Sequence, residues 1–176
     1  MTKPRLALLS VVLLGIAPLA RAADLAVGSK APAFSLQGSD GKTYALSDFA
    51  GKQGVVLAWF PKAFTGGCTE ELKSLTDSAA EIASYDAAVF MVSLDTPEKN
   101  AEFAKSLDAK LTLLSDPKGE TANAYGVSAL GGMYAKRWTF YIDPAGAILA
   151  IDKDVKTGTA GPDIAKQLGA LGYPKR

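Results

Sequence analysis

Short continuous runs of apolar residues recur along the chain, and each lies between polar or glycine-containing segments. Residues 55–60 and 87–94 form two such runs, rich in β-branched and aromatic side chains, and residues 111–114 form a shorter third. Runs of this length are typical of strands buried on both faces of a parallel sheet. We therefore predict three strands, of which the first two are central and parallel.

Between and after these strands, apolar residues recur at spacings of three and four, which places them on one face of a helix. The pattern predicts a helix over residues 67–84, a second that begins at Pro97 with Thr96 as its cap, and a short one over residues 119–125. The residues that predict a further C-terminal helix are Ile164, Leu168 and Leu171.

Alternating apolar and polar positions predict two β-hairpins. The first joins residues 34–36 to residues 44–46 through a turn rich in glycine and aspartate, and the second joins residues 137–143 to residues 147–151. Together with the strand and helix order, these hairpins predict an α/β fold in which a mixed sheet carries helices on its faces.

The N-terminal 22 residues have the pattern of an export signal. Lys3 and Arg5 provide a positive start, residues 6–14 are apolar except for Ser10, and Ala20-Arg21-Ala22 is a small-x-small cleavage site. An uncleaved anchor is the alternative, but the run is shorter than the roughly 20 residues that a membrane span needs. We expect export to a periplasm or, alternatively, secretion.

Length and charge limit the remaining possibilities. Residues 23–176 have the size of one domain. The whole chain has 19 basic and 18 acidic residues; without the three basic residues of the predicted signal, 16 basic residues remain against 18 acidic ones. This balance indicates neither a nucleic-acid partner nor a membrane partner for the mature protein.

Cys68 is the only cysteine, and the chain has no histidine. A single cysteine forms no intrachain disulfide, so Cys68 is a buried spectator, an intermolecular partner or a reactive thiol. The lack of histidine excludes Ser-His-Asp and Cys-His pairs as well as histidine-ligated zinc or haem. We expect no cofactor and no metal.

The predicted position of Cys68 favours a negative charge. It follows the strand at residues 55–60 and lies in the first turn of the next helix. Ligand crevices form at the carboxyl ends of strands in open α/β sheets, where free backbone N–H groups and the helix dipole attract anions. A thiolate is such an anion.

Pro61, Thr65 and Cys68 have the spacing P-x-x-x-T-x-x-C, which resembles the active-site loop of the peroxiredoxins. The resemblance extends from about residue 27 to residue 151 and is closest to the bacterioferritin-comigratory, or Q-type, branch. Its further motifs are Ala31-Pro32-x-Phe34, Val92-Ser93-x-Asp95, Leu114-Ser115-Asp116, Tyr125-Gly126-Val127 and Arg137-x-Thr139-Phe140.

This resemblance implies a thioredoxin-like three-layer fold with a central mixed β-sheet and an N-terminal β-hairpin extension. It also implies a thiol peroxidase in which Cys68 attacks a hydroperoxide and becomes a sulfenic acid. Arg137 would fold over the sulfur, Thr65 would hydrogen-bond to it, and Pro61 would shield it from water. Glu71 would hold the arginine.

Each of these residues also has a purely structural interpretation. A lone cysteine on an apolar face is usually part of the core, and an arginine at a strand edge is usually solvated. Thr65 could be only a helix cap and Pro61 only the end of a strand. Glu71 would interact favourably with the helix dipole in the first helical turn, whatever the function. The presence of all five together favours the catalytic interpretation.

Two positions depart from the family pattern. Gly66 stands where proline commonly follows the threonine, and Lys73 stands where the Q-type branch often has a resolving cysteine. Without that second thiol, the sulfenic acid needs an external reductant, which could be thioredoxin-like, glutaredoxin-like or a small thiol. Both a monomer and a homodimer agree with the sequence.

Two other functions remain as alternatives. An exported thioredoxin-like thiol–disulfide oxidoreductase would share the fold, but it needs the motif C-x-x-C, and here Thr65 and Glu71 occupy the positions three residues from Cys68. The other alternative is a non-enzymatic binding or holdase protein on the same scaffold.

Overall fold

The computed structural model describes residues 25–176, so the predicted export signal lies outside the described residues. The strands are β1 Ser35–Gly38, β2 Thr43–Ala45, β3 Gly54–Trp59, β4 Ala87–Ser93, β5 Thr112–Ser115, β6 Ser128–Ala129, β7 Tyr134–Ala135, β8 Thr139–Ile142 and β9 Ile148–Asp152. The α-helices are α1 Gly66–Asp77, α2 Ala79–Ala83, α3 Pro97–Ser106, α4 Glu120–Ala124 and α5 Ala160–Ala170.

Seven strands form one mixed sheet in the order β2-β1-β5-β4-β3-β8-β9. β3, β4 and β5 are parallel neighbours at its centre, and every residue of β3 is buried. The predicted central strands are therefore confirmed. β8 runs antiparallel to β3 on the other side and pairs with β9, which confirms the second hairpin.

The N-terminal hairpin is confirmed, and it belongs to the main sheet. β1 pairs with β2 in antiparallel register and also with β5, where Gln37 lies opposite Ser115. Its buried face contributes Leu36 to the core. The hairpin therefore extends the central sheet at the edge next to β5.

Helices pack on both faces of the sheet, which confirms the expected layers. One apolar cluster joins the sheet to α1, α2, α3 and α5 and contains Cys68. The cluster on the opposite face joins the sheet to α4 and to the segment before β1. No helix within residues 25–176 is long and apolar enough to cross a membrane.

The single helix predicted over residues 67–84 is wrong in one respect, because the structure has two helices there. Ser78 separates α1 from α2 with φ −94° and ψ 5°. The start of α5 lies against this point: the N–H of Gly161 donates to the hydroxyl of Ser74, and a methyl group at Gly161 would overlap Ser74 and Ser78. Serine is also a weak helix former that favours helix ends.

Candidate active site

Cys68 lies where the central strand β3 gives way to α1. β3 ends at Trp59, a loop spans residues 60–65, and Cys68 is the third residue of α1. Its side chain faces the apolar cluster beneath α1 and is 0% exposed. The sequence-based placement of Cys68 in the first helical turn, on the inward face, is confirmed.

Arg137 reaches the sulfur because β8 runs antiparallel to β3. Thr139 lies opposite Ala58, so Arg137, two residues earlier, lies beside the end of β3 on the same face of the sheet. Its Nη2 donates a hydrogen bond to Cys68 Sγ over 3.2 Å. The second predicted hairpin was expected to begin at residue 137, but β8 begins at Thr139, which leaves Arg137 just before the strand.

Glu71 holds the other side of the guanidinium. Its carboxylate, one helical turn after Cys68, accepts a hydrogen bond from Nη1 of Arg137 and forms an ion pair with it. Glu71 is fully buried, and its Oε1 has no hydrogen-bond partner among the described residues. The arrangement predicted for this arginine, between a carboxylate and the sulfur, is present.

Burial sets the protonation of this pair. Loss of solvation raises the pKa of Glu71 from 4.5 to about 7, and the charge and hydrogen bond of Arg137 act in the opposite direction. Partial burial alone would lower the pKa of Arg137, but the charge of Glu71 and the contact with Cys68 raise it overall. Arg137 therefore stays protonated and keeps a positive charge beside the sulfur.

Thr65 lies on the loop as expected, but its hydroxyl points elsewhere. It donates to the carbonyl of Lys62 over 3.0 Å and makes no hydrogen bond to Cys68 Sγ. Thr65 is the N-cap residue of α1 by position, yet its side chain does not cap the helix. The predicted bond from Thr65 to the sulfur is thus absent from this arrangement, because the hydroxyl closes the turn that precedes α1.

Pro61 directly follows Phe60 at the end of β3 and is half-buried. This position is consistent both with a strand terminator and with a shield for the sulfur, so its role stays a prediction. Gly66 begins α1, and a methyl group there would meet nothing within 4 Å.

Three contributions to the site were not predicted from the sequence. Gly67 lies beside Arg137, and an added Cβ would contact Nη2 at 3.4 Å without a clash. Thr157, on a 3₁₀ turn before α5, hydrogen-bonds to Glu70 at the start of α1. Asp95 binds the backbone of the loop at Ala63. Only Asp95 had a sequence signal, as part of Val92-Ser93-x-Asp95.

The arrangement supports thiol chemistry. A buried sulfur lies in the first turn of a helix, and a guanidinium nitrogen lies 3.2 Å from it, so the helix dipole and the arginine both place positive potential at the sulfur. Within residues 25–176 no group of three or more cysteine, aspartate or glutamate side chains could hold a metal ion.

The sequence pattern of the AhpC/TSA family matches residues 27–151. A protein named putative peroxiredoxin bcp from Haemophilus influenzae is 38% identical over 133 residues, which cover 72% of this chain and 85% of that protein. Peroxiredoxin Bcp of Escherichia coli K12 is 37% identical over 139 residues, covering 76% of this chain and 88% of that protein.

Solved structures agree with the fold. The crystal structure of peroxidoxin BcpB from Mycobacterium tuberculosis superposes with a TM-score of 0.74 at 31% sequence identity, covering 82% of this chain and 96% of that chain. PrxQ from Xylella fastidiosa superposes with a TM-score of 0.77 at 23% identity, covering 84% of this chain and 98% of that chain. This second similarity is one of fold.

The Glu71 carboxyl predicts a specific pH dependence of stability. Because its folded-state pKa is raised, the folded protein keeps this proton up to about pH 7, whereas the unfolded chain releases it near pH 4.5. The free energy of unfolding of the wild type, relative to Glu71→Gln, should therefore fall by about 3 kcal/mol from pH 4.5 to 7 and stay level above. Urea unfolding of both proteins across this range measures the difference. A difference that is independent of pH would contradict the shift.

Proposed function

Because this chain belongs to the AhpC/TSA family and is a peroxiredoxin-type thiol peroxidase, we propose that Cys68 reduces hydroperoxides by a one-cysteine mechanism with an external thiol. The observation that carries this assignment is the 3.2 Å contact between Nη2 of Arg137 and the sulfur of the chain's only cysteine. Hydrogen peroxide and organic hydroperoxides are both candidate substrates.

In the first step, the thiolate of Cys68 attacks one oxygen of the peroxide. An S–O bond forms as the O–O bond breaks, and the departing oxygen takes a proton to become water or an alcohol. The sulfur loses two electrons and becomes a sulfenic acid. Arg137 stabilises the thiolate and the charge that develops on the departing oxygen. Glu71 keeps the guanidinium in place.

In the second step, an external thiol attacks the sulfenic sulfur, and water leaves as a mixed disulfide forms. A second thiol then releases the reduced enzyme and departs in a disulfide. No other cysteine exists in the chain, and Lys73, at the position of the possible resolving thiol, is exposed on α1. A thioredoxin-like protein, a glutaredoxin-like protein or a small thiol is the proposed reductant.

Thiol–disulfide exchange is less well supported. Such an oxidoreductase cycles between a dithiol and a disulfide in C-x-x-C, and this chain has one sulfur for that purpose. A non-enzymatic binding protein would not need a buried carboxylate that holds an arginine against a cysteine. Both alternatives predict that peroxide consumption does not depend on Cys68.

Export is the proposed localisation. Its support is the sequence pattern of the first 22 residues, and the family match starts after them, at residue 27. In an exported protein the reducing thiol would come from the same compartment, which makes an exported thioredoxin-like protein or a small thiol the relevant class of reductant.

Peroxidase assays of the purified protein and of Cys68→Ser test the activity. We expect the wild type to consume hydrogen peroxide or cumene hydroperoxide with dithiothreitol, glutathione or thioredoxin, and the serine variant to lose this turnover. Lys73→Ala is a matched control on the exposed side of α1, and it should stay within about twofold of the wild type. Equal consumption by the wild type and Cys68→Ser would contradict the assignment.

Expression of the full chain in a Gram-negative host tests export. The intact mass of periplasmic protein should correspond to a chain that begins at Ala23. In Ala22→Phe the bulky residue removes the small-x-small site, so the precursor should accumulate uncleaved. Cytoplasmic, full-length wild-type protein would contradict the proposal.

A further inference from the structure

The loop between β3 and α1 contains a strained backbone. Phe64 has φ 65°, in the left-handed region that is unfavourable for a residue with a Cβ, and its side chain is half exposed. Such a conformation persists when the surrounding structure holds it, and it occurs preferentially at functional sites. Contacts from outside the loop must therefore stabilise residues 61–65.

Two contacts do so. The ring of Phe64 packs against Phe103 of α3, with 5.0 Å between ring centroids. The N–H of Ala63 donates to the carboxylate of Asp95 over 2.7 Å. Asp95 directly follows the end of β4, the parallel neighbour of β3, so its carboxylate lies at the same end of the central strands as the loop. A hydrogen bond to a charged acceptor is stronger than one between neutral groups.

Asp95 is itself firmly held. Its side chain is 8% exposed, and its other oxygen binds Lys99 Nζ over 2.6 Å. The hydroxyl of Ser93 lies 3.2 Å from the carboxylate and 3.2 Å from Asn100 Oδ1. Asn100 in turn donates to Ser115 and to the carbonyl of Leu114 on β5. The position of Asp95 is thus fixed by a polar network that joins β4, α3 and β5.

We propose that Asp95 is a positioning residue for the peroxidase reaction, which fixes the loop at residues 61–65 over Cys68 through the backbone N–H of Ala63. The proposal rests on the function proposed above. Asp95 does not touch the sulfur among the described contacts; it acts through the loop that carries Pro61 and Thr65. Release of the tether would let the left-handed turn relax and would displace the loop that borders the buried thiol.

Three variants separate the tether from its surroundings. Asp95→Ala and Asp95→Leu both remove the acceptor, and leucine keeps a side chain of similar volume. Glu98→Ala removes an exposed carboxylate in the first turn of α3 and leaves Asp95 and its partners in place, so it is the matched control.

Each variant is mixed with cumene hydroperoxide and, separately, with iodoacetamide, and the rate constants of Cys68 are compared. Alkylation needs only an accessible thiolate, whereas peroxide reduction also needs a precisely placed substrate. Asp95→Ala and Asp95→Leu should lower the peroxide rate constant about 10- to 100-fold. Alkylation of Cys68 in both variants should not slow, because a displaced loop uncovers the buried thiol. Both reactions of Glu98→Ala should stay within about twofold of the wild type.

Three results would overturn the proposal: a wild-type peroxide rate in Asp95→Leu, an equal loss of both reactions, or a loss in Glu98→Ala as large as in Asp95→Ala. Asp95→Leu decides the question if Asp95→Ala does not fold. A wild-type protein that reacts with iodoacetamide but not with peroxide would instead overturn the proposed function, and this proposal with it.

Discussion

The contact of one guanidinium with both a buried carboxylate and a buried sulfur is the interaction on which this site depends. Burying a charged Glu71 without a partner would cost several kcal/mol, and Arg137 offsets part of that cost by ion pairing. The same arginine has a second nitrogen for Cys68. A lysine, with a compact charge on a flexible chain, would not present two donors in a fixed fork. Glu71 therefore holds the positive charge of Arg137 beside the sulfur before any substrate binds.

The fold supplies this contact through strand pairing. α1 provides Cys68 and Glu71 one helical turn apart, while Arg137 comes from a strand that pairs with β3 in antiparallel register. Two segments that are nearly seventy residues apart in the sequence therefore meet at the carboxyl end of β3. The chain has no histidine to pair with the cysteine, and in the structure Arg137 occupies the place beside the sulfur that an imidazole would take.

The local pattern of apolar and polar residues was sufficient to predict most of the fold and the position of Cys68. It did not predict the directions of the side chains around the site. The apolar runs gave β3 and β4, and the spacing after Cys68 gave the inward face of α1, because burial leaves a direct trace in the sequence. The break at Ser78 depends on packing by Gly161, far along the chain. The position of Arg137 followed from family resemblance rather than periodicity. The hydroxyl of Thr65 and the bond from Asp95 to Ala63 are set by loop geometry, which no residue pattern encodes.

Rapid mixing of the reduced protein with hydrogen peroxide at pH 7 tests most directly whether Arg137 activates Cys68. Loss of the charge in Arg137→Gln should lower the second-order rate constant about 10²- to 10³-fold, as expected when a donor to a developing charge is removed. Lys136→Gln removes the neighbouring exposed cation and should stay within about twofold of the wild type. A wild-type rate constant in Arg137→Gln, or an equal loss in both variants, would contradict activation by this arginine.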